Sequence, residues 1–168
     1  MIKDSGNRRE FNTGAVRDIQ EGKGRCDLLP LDVAGALTNN IVLWHIHNFQ
    51  LHNDTLLLEI ALKEFVTNYT DWCRGSNFAK NGFANMLLEL SKHFEEGAKK
   101  YGERNWEKGI PTHCYIDSAV RHYLKWLRGD TDEPHDRAFC WNILCCIWTC
   151  QNMPELNDYP IKKEGVGE

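Results

Sequence analysis

Apolar residues in this chain recur at the three-to-four-residue spacing of a helix, and no stretch shows a convincing strand alternation. After Asp54-Thr55, which can cap a helix, Leu56, Leu57, Ile60, Ala61, Phe65 and Val66 follow this spacing to about Trp72. Met86, Leu87, Leu90, Phe94 and Ala98 form the stripe of a helix from about Asn85 to Lys100, which Gly102 ends. Ala119, Tyr123 and Trp126 form one ridge over residues 114–128. A last long helix starts near Glu133, with Pro134 in its first turn, and runs to about Gln151. Residues 31–52 mix apolar and polar positions and read as helix. The pattern predicts an all-α fold, a bundle of about four or five helices. Residues 1–12 are expected to be mobile and the tail after Pro154 frayed. Residues 13–30 carry Gly14, Gly22 and Gly24 among charges of both signs, and read as an ordered loop with a short helical turn, closed by Pro30.

At 168 residues the chain suits one domain with a sizeable core. A net charge of −4 argues against nucleic acid as main partner, but leaves room for a nucleotide held by a local cluster of cations. There are seven cysteines. Cys140, Cys145, Cys146 and Cys150 share one apolar helical run and lack the paired C-x₂-C knuckles of a zinc ribbon. Buried, reduced thiols in a cytoplasmic protein are expected. With a polar N-terminus no signal peptide is expected, and no apolar stretch approaches the roughly 20 residues of a membrane span.

The chemistry concentrates between His93 and Asn142. Glu95 and Glu96 point about 100° apart on their helix, and Glu89, His93 and Glu96 share a polar stripe. A solvated face with Glu95–Lys99 and Glu96–Lys100 pairs is the plainer alternative. Glu133 and Asp136, three apart, could converge on an ion or simply favour the positive end of a helix. His135 and Asn142 line one stripe, and Asn142 is either a satisfied core amide or a ligand contact. Asp117 and Arg121 could pair, and His122 could be a core histidine. Arg17, Lys23 and Arg25 among the glycines could wrap phosphate oxygens, although the P-loop pattern is absent. Tyr101, Asn105 and Trp106 could stack on and hydrogen-bond a base, or plug the space under a loop. Acids spread over neighbouring helices suit a divalent metal, and a metal suits phosphate chemistry.

The segments TGAVRDIQEGKGRCDLLP, HFEEGAKKYGERNWEKGIP and DSAVRHYLKWLRGDTDEPHDRAFCWN resemble the phage dATP/dGTP diphosphohydrolase family, often called MazZ, within the all-α MazG-like NTP pyrophosphohydrolases. They span 13–30 and 93–142, less than half the chain, and residues 36–83 look like a helical insertion beside a metal-binding core over 85–151. The resemblance implies hydrolysis of dGTP or dATP to the monophosphate and pyrophosphate. In phages that replace adenine by 2-aminoadenine, the product dGMP feeds the modified-base pathway in the host cytoplasm. It also implies a divalent cofactor, Mg²⁺ or else Mn²⁺ or Co²⁺, and a homodimer or homotetramer. Glu95 and Glu96 match the first acids of the superfamily's E-E-x-x-E helix, but Lys99 stands at the third. Glu133-Pro134-His135-Asp136 matches E-x-x-D.

The metal set so implied is Glu95, Glu96, Glu133, His135 and Asp136, with Glu95, Glu96 and Asp117 as catalytic residues. The substrate set is Arg17, Lys23, Arg25, Lys100, Tyr101, Asn105, Trp106, Arg121, His122 and Asn142. On this reading Glu96→Ala cuts kcat by orders of magnitude with the fold kept. The rival is a non-catalytic helical module that senses a nucleotide or engages a host factor, which the departure at Lys99 favours.

Overall fold

The computed structural model describes residues 6–70, 72 and 78–160. Six helices form the body: α1 (Leu31–Thr38), α2 (Ile41–His52), α3 (Thr55–Glu64), α4 (Phe78–Tyr101), α5 (Thr112–Arg128) and α6 (His135–Asn152). A wider π turn extends α3 over Phe65–Tyr69, and short 3₁₀ turns lie at Cys26–Leu28, Asn105–Lys108 and Pro154–Leu156. The chain opens with a small antiparallel hairpin, β1 (Arg8–Glu10) and β2 (Val16–Asp18), in the register Arg8↔Asp18, Arg9↔Arg17 and Glu10↔Val16. The all-α expectation holds for the body.

The hairpin corrects the expectation of mobility for residues 8–12, while residues 1–5 of that expectation lie outside the described residues. Its strands are three residues long, too short for alternation to register. Its turn is closed by Phe11 N donating to Ala15 O at 2.9 Å and Gly14 N to Phe11 O at 2.8 Å, with Gly14 at φ 79°. The single helix expected over 31–52 is two helices. Asn39 takes a left-handed conformation (φ 49°), and the Asn40 side chain caps α2 by accepting from Val42 N and Leu43 N. Asn40 Nδ2 also donates to the Tyr123 hydroxyl of α5 at 2.5 Å, so one amide ends a helix turn and ties it to the core. Asn40→Ala is expected to lower stability by about 2 kcal/mol, the combined loss of a cap and a buried bond, measurable by urea denaturation. Asp54 caps α3 through Leu56 N at 3.0 Å, as its sequence suggests. The tail beyond Pro154 is tied down as far as Tyr159, which is 3% exposed.

The core lies where α5 and α6 face each other and α2 and α3 close over them. Phe65, Tyr123 and Phe139 are fully buried, with Phe65 ring centroids 5.7 Å from Tyr123 and 4.6 Å from Phe139. Residues of 36–83 therefore share the core of α5 and α6. Cys140, Cys145 and Cys146 are buried free thiols, and burial pushes all three up from the ordinary thiol range. Among the described residues no helix is long and apolar enough to cross a membrane.

Asp158 clasps the start of α5: it accepts from Thr112 Oγ1 at 2.6 Å and His113 N at 2.9 Å, and pairs with the His113 ring. The Asp158 bond, then the Cys114 bond, raise His113 from 6.5 to about 10. Burial works against Asp158, but its bonds from His113 and Thr112 hold it below its ordinary 3.8. The raised histidine contributes fully below pH 6.5, and that contribution is lost as pH rises toward 10. The depressed carboxylate contributes above 3.8 and loses that contribution as pH falls below it. The stability advantage of the wild type over His113→Gln is therefore expected to peak between pH 3.8 and 6.5 and shrink on the alkaline side. Urea denaturation across a pH series measures it.

Candidate active site

The N-terminal segment folds back over the C-terminal half of the chain because several polar groups clamp it there. Asn105 holds the backbone of Val16 from both sides, accepting from its N at 2.9 Å and donating to its O at 2.8 Å. Thr13 Oγ1 donates to Gly109 O at 2.6 Å. Arg17 Nη2 reaches into the bundle and donates to Asn142 Oδ1 at 2.8 Å and Ser118 Oγ at 3.2 Å. The Asp117 carboxylate, 1% exposed, accepts from Gln20 at 3.0 Å, from Cys26 N at 2.6 Å and from Arg121 at 2.8 Å. Between this segment, the end of α4 with its following turn, and the inner faces of α5 and α6 lies a cavity of about 1110 Å³.

Most of the expected substrate residues line this cavity: Arg17, Lys23, Lys100, Tyr101, Asn105, Trp106, Arg121, His122 and Asn142. Arg25 does not: it forms a two-pronged pair with the buried Asp27 at 2.7 and 2.6 Å, which holds its guanidinium above the ordinary range. Lys23 pairs with Asp18 at 2.7 Å. The Asn105 amide is consumed by Val16, and Asn142 is satisfied by Arg17 and by Ala138 O at 2.8 Å. Trp106 packs on Phe94 (5.5 Å) and Trp148 (4.9 Å), while Tyr101 has Arg8 and Lys100 over its ring.

At the α5–α6 end of the cavity three ligand-bearing side chains meet. His122 Nδ1 lies 3.0 Å from His135 Nδ1, and Glu133 Oε1 lies 3.7 Å from the first and 3.8 Å from the second. The ligand atoms of the three lie within 4.8 Å of one another, and a second group, Asp130, Asp132 and His135, meets the same limit. His135 Nε2 pairs with Asp132 Oδ1 at 2.8 Å, the carboxylate–imidazole arrangement that orients a ligating ring. Burial, and then the His135 ring, hold His122 well below its ordinary range. Two imidazoles and a carboxylate form a donor set that could hold a divalent ion.

Of the five residues expected to hold a metal, the structure brings Glu133 and His135 together and adds His122. Neither grouping among the described residues includes Glu95, Glu96 or Asp136. Glu95 is 64% exposed on its side chain and pairs with Lys99. Glu96 accepts from Arg137 at 3.2 Å, and Asp136 Oδ1 accepts from the backbone N of Arg137 at 2.7 Å. The reason is local: α6 begins at His135, so Glu133 lies in the preceding turn and its helical spacing to Asp136 does not apply. The sequence reading did not single out Asp130 and Asp132, which lie five and three residues ahead of His135.

Arg137 has an 8% exposed side chain, with Glu89 at 3.9 Å as its other acid. Glu96→Ala is therefore expected to lower stability by about 2 kcal/mol through a weakened buried pair, discounted because Glu96 is 30% exposed, and to leave metal affinity unchanged. Thermal unfolding paired with metal titration separates this outcome from a ligand role.

Residues 77–159 match the family model described as dATP/dGTP diphosphohydrolase, N-terminal. The matched span contains α4, α5, α6 and the His122–Glu133–His135 group, and leaves out the hairpin that walls the cavity. No curated protein and no solved structure matches the chain.

Proposed function

The chain belongs to the dATP/dGTP diphosphohydrolase family through residues 77–159, and from that premise we propose that its cavity hydrolyses a purine deoxynucleoside triphosphate to the monophosphate and pyrophosphate. The observation that carries this reading is the His122–Glu133–His135 group at one end of a cavity that also holds Lys100, Arg121 and Lys125. His122, Glu133 and His135 would hold a divalent ion, which would supply charge neutralisation for the triphosphate and activation of water. Lys100, Arg121 and Lys125 bind phosphate oxygens and stabilise the charge that develops on them. Asp117 positions Arg121 and holds the 20–26 segment in place rather than touching the reacting atoms.

The water oxygen forms the new bond to the α-phosphorus, the bond from the α-phosphorus to the bridging oxygen breaks, and pyrophosphate leaves with that oxygen. The carboxylate of Glu95 at the cavity wall is an acceptor at hand for the water proton. Supply of dGMP for 2-aminoadenine synthesis in a phage is the role that the resemblance implies. A homo-oligomer fits the exposed apolar residues of α1 to α3, among them Leu37 (82% exposed), Trp44 (47%) and Leu51 (52%).

The test is incubation with each of the four dNTPs and Mg²⁺, Mn²⁺ or Co²⁺, with products separated by chromatography. Monophosphate and pyrophosphate in equal amounts, abolished by EDTA, are expected. No turnover with any metal would favour the nucleotide-sensing alternative, to which the engagement of Glu95 by Lys99 and of Glu96 by Arg137 already lends support.

A further inference from the structure

The first turn of α5 brings a cysteine, a histidine and a carboxylate into line, about two and a half turns ahead of His122. Cys114 Sγ lies 3.2 Å from His113 Nε2. The opposite ring nitrogen, Nδ1, pairs with Asp158 Oδ2. Asp158 is itself fixed, because its other oxygen accepts from Thr112 Oγ1 at 2.6 Å and from His113 N at 2.9 Å. A second cation reaches the sulfur from the hairpin, where Arg9 Nη1 donates to Cys114 Sγ at 3.7 Å. Cys114 is 5% exposed and lines the cavity together with Arg9.

These are the parts of a nucleophilic thiol: a sulfur within hydrogen-bond reach of an imidazole, and an imidazole oriented by a third group. Neighbouring cations favour the thiolate, which is the form that attacks. His113 is such a cation. The Asp158 bond, then the bond to Cys114, raise it from 6.5 to about 10, so both ring nitrogens carry protons at neutral pH. Among the described residues no other cysteine has an imidazole at its sulfur. Burial raises Cys26, Cys140, Cys145 and Cys146. Cys150 is the rival, lowered by its bond with Cys146, but that partner is a buried thiol and not a cation.

We propose that Cys114, with His113 and Asp158, is a covalent modification site on the cavity wall that reacts with small disulfides by thiol–disulfide exchange. The Cys114 sulfur attacks one sulfur of the disulfide, so that a new S–S bond forms and the old one breaks. The electron pair of the broken bond leaves on the second sulfur, which takes the proton held at His113 Nε2. No oxidant other than the disulfide is consumed. The adduct takes up space in the cavity, and a reducing thiol removes it by the same exchange in reverse.

The test exposes the full chain to 4,4′-dithiodipyridine and follows each cysteine by peptide mass spectrometry, in the wild type, His113→Gln and Arg9→Gln, with Cys114→Ser as control. Cys114 is expected to react first, at least about tenfold faster than Cys26 or Cys150, and dithiothreitol to reverse the adduct. The Cys114/Cys26 rate ratio is expected to fall by about tenfold in His113→Gln and by about two- to fivefold in Arg9→Gln. A clasp that only packs the end of α5 would do the opposite in His113→Gln, since loosening the helix exposes the thiol and speeds its labelling. That result overturns the proposal, as does Cys26 or Cys150 reacting ahead of Cys114. Circular dichroism checks that the helices are kept. Should His113→Gln lose them, Arg9→Gln decides, because Arg9 lies outside the clasp and an unchanged ratio there overturns the proposal. Labelling needs no turnover, so its failure leaves the hydrolase reading intact, and the failure of that reading leaves the thiol site standing.

Discussion

Glu133→Gln is expected to lower kcat/KM for dNTP hydrolysis by at least about a hundredfold while the helical bundle keeps its melting temperature to within a few degrees. Loss of a residue that only supports a metal ligand already costs about ten- to a hundredfold in affinity or activity, so loss of a charged ligand costs at least as much. Glutamine keeps the volume and one oxygen but removes the negative charge that Glu133 contributes beside the two imidazoles. Glu133 sits in the turn ahead of α6 and is not among the buried hydrophobic core residues, which is why the fold is spared. Steady-state rates over a Mn²⁺ titration, with calorimetric metal binding, give the comparison. Wild-type activity in this variant would remove the His122–Glu133–His135 assignment, all the more so if Glu96→Gln were the inactive one.

Asp117→Asn is expected to act on both stability and substrate affinity. The carboxylate is buried at 1% exposure and receives three donors, two of them from the segment that roofs the cavity. An amide supplies one acceptor oxygen and turns an NH₂ toward the remaining donors. Arg121 then loses its charged partner in a half-buried setting. Breaking a buried pair on one side costs about 3–5 kcal/mol. The side chain of Arg121 is 16% exposed, so about 3 kcal/mol is expected from urea denaturation. KM should rise more than kcat falls, because the roof and a phosphate-binding guanidinium are displaced together. A variant with unchanged stability and lost kcat would instead make Asp117 a participant in the chemistry.

The long helices were legible because their apolar stripes are long enough for the period to show, as in α4 from Met86 to Ala98. Asp54 was legible as a cap because its chemistry is local. The break between α1 and α2 was not, since Asn39 and Asn40 sit within a run of mixed apolar and polar residues, and one bond that fixes Asn40, to Tyr123, comes from 83 positions away. The same limit governed the site. That cations and aromatics of 17–23 and 100–106 would share a cavity with α5 and α6 was readable from their types. Which acids would meet was not, because it depends on α6 starting at His135, with Glu133 held in the turn ahead of it. Asn105 shows the cost of reading types alone: an amide beside two aromatics suggests base recognition, yet both its polar atoms serve Val16.

The clamps on the N-terminal segment join residues 89, 97 and 125 positions apart. Such closures are entropically expensive and come late in folding, after α5 and α6 supply the surface to close on. The bundle is therefore expected to form before the cavity closes. The same asymmetry operates at equilibrium: a segment held by a few polar contacts opens at lower free energy than the helices beneath it. Amide exchange at Val16 and Cys26 should then outpace exchange in α5 and α6, and the protein would pass much of its fluctuating time folded but chemically silent.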